Sequence, residues 1–163
     1  MSTAAKLQIS TPSDLEIRMT RAFHAPRQLV WDAHTKCSLL KKWLFGPDGW
    51  SLDVCEMDLR VGGKYRWVWL HASKKEMGLS GVFREIVAPA RFVCTEKFDD
   101  PWYPGEAVDA YTFAEIGGKT TLTLTMRFET REARDMALKS GMDTGMEMGY
   151  ARLDEIFAEA ARA

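Results

Sequence analysis

Thr121-Leu-Thr-Leu-Thr-Met-Arg-Phe128 alternates without a break and runs through Thr130 into a long helix, so this stretch decides the fold. Leu122, Leu124, Met126 and Phe128 share one face of the strand, and Thr121, Thr123, Thr125 and Arg127 share the other. Period-two patterning of this kind predicts a sheet wet on one side and covered on the other. The following helix supplies the cover: from Met142 onward, Met142, Met146, Tyr150, Leu153 and Phe157 recur at helical spacing. A sheet gripping a long helix either packs solid or leaves a pocket, and the residues along that seam carry the functional question.

Upstream, turn residues separate a regular series of strands at roughly 50–58, 64–71, 78–88, 91–98, 107–115 and 119–129, which reads as an antiparallel meander. Gly62-Gly63, Pro89-Ala90 and Gly117-Gly118 punctuate it, the last as a tight hairpin. A strand carrying Leu15, Ile17, Met19 and Phe23 precedes the series. Pro26 opens a helix bearing Leu29, Val30, Trp31 and Ala33, and Thr35 is placed to cap a second short helix through Leu39, Leu40 and Trp43. Residues 1–13, small and polar, read as a flexible arm, and residues 14–163 as one domain. The class is α+β: a curved seven-stranded antiparallel sheet, two short helices after the first strand, and a long terminal helix.

Composition narrows the function. The 163 residues make one typical domain. Lys and Arg number 22 against 23 Asp and Glu, a net charge of −1 without a basic stripe, so nucleic acid is not an expected partner. No apolar run approaches the ~20 residues a membrane helix needs, and no signal-peptide core stands at the N-terminus, so neither membrane insertion nor export is expected and a cytoplasmic location is. Cys37, Cys55 and Cys94 are odd in number and widely spaced, which fits reduced thiols better than a disulfide framework.

Strand parity then sorts the seam. Tyr65, Trp67, Trp69 and His71 share a face, as do Phe92, Cys94, Glu96 and Phe98, and as do Asp109, Tyr111 and Phe113. Aromatic walls with a few polar groups suit a small-molecule site, although such rings also simply fill cores. The ligand-binding candidates are Trp67, Trp69, His71, Glu96, Phe98, Tyr111, Met142, Met146 and Tyr150. Glu96 is the favoured polar anchor. Arg21 also falls at inward parity and is either its partner or a rim charge left in water. Gly141, Gly145 and Gly149 each cost up to about 1 kcal/mol against Ala within a helix, which points to close packing or to a kink near Ser140 and Gly141. The loop Asp99-Asp-Pro-Trp-Tyr-Pro-Gly105 offers exposed aromatics to close a cavity mouth or to meet a second copy of the chain as a homodimer. Trp43 and Trp50 flank the loop from Phe45 to Gly49, where they either line the same mouth or pin the short helices.

Catalytic and metal signatures are absent. His24, His34 and His71 have no metal spacing, no CxxC, GxSxG or phosphate loop occurs, and neither a metal nor a cofactor is expected. No residue is assigned a catalytic role; were chemistry to occur, His71 or Glu96 would be the acid or base.

Four blocks carry a resemblance: Arg21-Ala-Phe-His-Ala-Pro26, Asp58-Leu-Arg-Val-Gly-Gly63, Gly81-Val-Phe-Arg-Glu-Ile86, and Arg131-Glu-Ala-Arg-Asp135 with Ser140-Gly-Met142. In order and spacing they resemble the SRPBCC, or START-like, superfamily, and within it the branch similar to the activator of the heat-shock protein 90 ATPase. The resemblance spans about residues 14–160. It implies a helix-grip fold with a cavity between sheet and C-terminal helix, used in the superfamily for lipids, sterols, polyketides and plant hormones. The expectation is binding of a small, mostly apolar molecule. The alternatives are a cyclase- or hydrolase-type enzyme in the same cavity and a chaperone-regulating interaction module.

Overall fold

A computed structural model describes residues 6–162. In chain order the elements are β1 (Gln8–Ser10), β2 (Glu16–Phe23), α1 (Arg27–Thr35), α2 (Cys37–Trp43), β3 (Trp50–Met57), β4 (Lys64–His71), β5 (Glu76–Val87), β6 (Arg91–Phe98), β7 (Ala107–Ile116), β8 (Lys119–Arg127), α3 (Arg131–Lys139) and α4 (Met142–Arg162). The strands form one antiparallel sheet in the order β1-β2-β8-β7-β6-β5-β4-β3. The meander therefore runs from β3 to β8, and β2 closes onto β8. The architecture is α+β, with the long C-terminal helix laid against the sheet.

The alternation of β8 places its residues as expected. Leu122, Leu124 and Met126 are buried, and Phe128 just beyond the strand is buried with them, while Thr121 and Arg127 are exposed. Opposite them the second half of α4 packs tightly: Leu153 and Phe157 are buried, and the rings of Tyr150 and Phe157 meet Phe23 edge-on at 5.4 and 5.7 Å. Gly117 and Gly118 both have positive φ, which lets two residues turn β7 into β8.

Several expectations are corrected. Gln8–Ser10, placed in the flexible arm, pair with Arg18–Thr20 and add an eighth strand; residues 1–5 of that arm lie outside the described residues. The terminal helix is divided. Thr130 caps α3 by accepting from the Ala133 amide at 3.0 Å, and Gly141, at φ +82°, turns the chain into α4 at the kink position. Thr35 does not cap α2, because its hydroxyl donates back to the Trp31 carbonyl at 2.8 Å and Lys36 takes the cap position. Cys37 and Cys55 form a disulfide, tying α2 to β3, and only Cys94 among the three is free. Spacing hid this bridge because the two residues meet only once α2 folds over the edge strand β3. Among the described residues no helix is long and apolar enough to cross a membrane.

Candidate functional site

The first two turns of α4 do not pack like the last. Met142, Met146 and Tyr150 face the sheet, but the intervening positions are Gly145 and Gly149. A Cβ on Gly149 would come within 3.1 Å of the Trp43 ring, so this glycine lets α2 approach closely. A Cβ on Gly145 would meet nothing within 4 Å. Helix and sheet diverge here around a pocket of about 450 Å³.

The sheet wall comes from alternate residues of β4 and β6 and from β7: Trp67 and Trp69, Phe92 and Phe98, and Tyr111. Trp43 of α2 and Trp50 of β3 close one side, and Trp102 closes another. Trp43 stacks on Tyr150 at 5.7 Å and donates its indole N–H to the Ala33 carbonyl at 2.8 Å. Trp69 donates to the Leu44 carbonyl at the same distance. These bonds hold two indoles upright while their faces line the space. Arg152 sits at the edge with its guanidinium 3.7 Å over the Phe45 ring, donating to the Trp43 and Gly46 carbonyls.

A polar floor adjoins this pocket. A void of about 20 Å³ is bounded by His34, Trp67, Tyr111, Glu96 and Asp109, among others. Asp109 is 1% exposed, and burial together with the neighbouring Glu96 raises its pKa well above the usual carboxylate value. Burial raises Glu96 as well, opposed by hydrogen bonds from Asp109 and Tyr103. The Tyr103 hydroxyl donates to Glu96 Oε2 at 2.6 Å, and Asp109 Oδ1 is buried with no hydrogen-bond partner. His34 is neutral, its pKa lowered to about 4 by burial despite a bond to the Val30 carbonyl.

The structure brings together Trp67, Trp69, Phe98, Tyr111, Met142, Met146 and Tyr150 around the large pocket, with Glu96 in the floor beneath. His71 lies elsewhere. As the last residue of β4 it turns into the hairpin, where Nδ1 accepts from the Ser73 amide and the ring covers Gly49 beside Trp50. Arg21 is buried at 2% exposure, yet it is neither a rim charge nor a partner of Glu96. Its guanidinium grips Glu147 at 3.0 Å and Asp154 at 2.6 Å on α4, and these carboxylates outweigh the effect of burial and keep it charged. The loop aromatics also turn inward: Tyr103 is 2% exposed and Trp102 packs on Phe98 at 5.2 Å. The nine binding candidates named from the sequence did not include His34, Phe92, Trp43, Trp50 or Trp102, although the three tryptophans were read as residues that could line the mouth. His34 follows Val30 by four residues on the apolar stripe of α1, which was the available signal. No cluster suited to a metal ion occurs among the described residues.

The family model described as Activator of Hsp90 ATPase homolog 1-like protein matches residues 24–158. A crystal structure of a Rhodobacter sphaeroides protein is 31% identical, with a TM-score of 0.90, covering 94% of this chain and 99% of that one. A Nitrosomonas europaea protein is 26% identical, with a TM-score of 0.79 and coverage of 94% and 100%. A Plasmodium falciparum protein described as an HSP90 activator is 22% identical, with a TM-score of 0.58 and coverage of 80% and 89%, a likeness of fold alone. Among curated proteins, none matches the chain.

Proposed function

The chain belongs to the Activator of Hsp90 ATPase homolog 1-like family, and from that premise we propose that it binds a small, mostly apolar molecule between α4 and the sheet. One observation carries this reading: about 450 Å³ of space walled by Trp43, Trp50, Trp67, Trp69 and Trp102. That volume lies within the range of small-molecule sites, roughly 300–1,000 Å³. Burial of apolar ligand surface at about 25 cal/mol per Å² supplies the driving force. Met142 and Met146 are unbranched and polarisable, so they adapt to the outline of the occupant.

Titration with the neutral fluorophore phenylnaphthylamine, excited through the wall tryptophans, tests the reading. Saturable binding of one probe per chain with energy transfer from tryptophan is expected. A signal that fails to saturate, or no transfer, contradicts it.

A further inference from the structure

We propose that the Cys37–Cys55 disulfide is a redox switch on the pocket: the oxidised chain holds one wall in place, and two-electron reduction by a dithiol loosens that wall and weakens binding. This inference rests on the pocket-binding reading and adds its regulation.

The bridge encloses residues 38–54, and this one loop of chain supplies Leu40, Trp43, Leu44, Gly46, Pro47 and Trp50 to the pocket lining. Its ends lie on different elements, Cys37 as the first residue of α2 and Cys55 in β3. β3 is the last strand of the sheet, so no further strand holds its outer side. Its ladder with β4 also shifts register between Leu52 and Val54, just before the cysteine. Cys55 stands opposite Trp67 on β4. The covalent tie therefore fixes α2, with Trp43, to the strand pair that carries Trp67 and Trp69.

The other ties define what reduction leaves. The Trp43 indole on Ala33, the Trp69 indole on Leu44, and Arg152 on the Trp43 and Gly46 carbonyls keep the loop on the molecule. None of these bonds joins α2 to β3. Reduction thus loosens the wall without dismantling it, and ordering it again around a ligand costs affinity. Cys37 and Cys55 are half-buried, whereas Cys94 is 4% exposed and burial pushes its thiol pKa up, so exchange is confined to the bridge. The thiolate of a dithiol attacks one bridge sulfur, forming a mixed disulfide and releasing the other cysteine. The second thiol of the reductant then displaces the remaining cysteine. Two electrons and two protons pass to the chain, which ends with two thiols, and the dithiol closes to its own disulfide.

The experiment measures the affinity of the full chain for phenylnaphthylamine, excited directly, in two states. The oxidised chain should count one free thiol in denaturant, and the chain reduced with dithiothreitol should count three. The reduced chain should bind about tenfold weaker, chiefly through faster dissociation, with unchanged far-UV circular dichroism. Cys37→Ser with Cys55→Ser should bind as the reduced chain does and ignore dithiothreitol, and Cys94→Ser should keep the full response. The reduced wild-type chain decides the matter whether or not the double variant folds. Equal affinity in the two states, three free thiols after oxidation, or a reduced chain that loses its fold together with its binding overturns the switch and leaves pocket binding standing. An oxidised chain that binds no probe overturns both.

Discussion

His34 owes its neutrality to its place on α1. Four residues after Val30 it falls on the buried stripe, and its Nδ1–H satisfies a helix carbonyl that would otherwise face the core. Burial lowers its pKa from 6.5 to about 4, so across that window the unfolded chain binds a proton that the folded chain refuses. Stability from this residue is therefore full above 6.5 and declines as pH falls toward 4. Relative to the wild type, His34→Phe should gain up to about 3 kcal/mol as pH falls through the window, read from urea midpoints. A pH-independent difference would mean that the fold leaves the His34 pKa at its unfolded value. Inward parity of Glu96, Asp109 and Arg21 was legible in the sequence, because each alternates with buried neighbours. Their partners were not: Glu96 meets Tyr103 from a loop, and Arg21 meets carboxylates on a helix over a hundred residues away.

At the level of elements, α4 has two jobs divided along its length. Its second half is packed through Leu153 and Phe157, and its first half stands off the sheet beside Gly145. Arg21 fixes that geometry, since its guanidinium binds Glu147 and Asp154 two turns apart while Nη1 also donates to the Ala22 carbonyl. Arg21→Met should cost about 2 kcal/mol in thermal or urea unfolding, less than a wholly buried pair because the carboxylates keep partial access to water. Arg21→Lys should recover only part, since an ammonium cannot bridge both carboxylates as a planar fork does. Unchanged stability in Arg21→Met would remove the clamp from the account. The strands were legible because alternation and glycine turns are local. The Cys37–Cys55 bridge and β1 were not, since both depend on which segments lie side by side after folding.

For the whole molecule the question is whether the seam between α4 and the sheet is a solid core or a binding space. Aromatic parity along β4, β6 and β7 left both outcomes open, because rings that fill a core and rings that line a pocket obey the same alternation. The space between helix and sheet depends on absent side chains, with glycine at 145 and α2 held close at Gly149. The most direct test of the central claim is the affinity of phenylnaphthylamine for Gly145→Leu beside the wild type. The new side chain projects into open space at the pocket wall and replaces a helical glycine, which favours the helix by up to about 1 kcal/mol. The account predicts a variant at least as stable as the wild type that loses most of its affinity for the probe. Equal binding by both proteins would place the probe elsewhere and contradict the pocket between α4 and the sheet as the functional site.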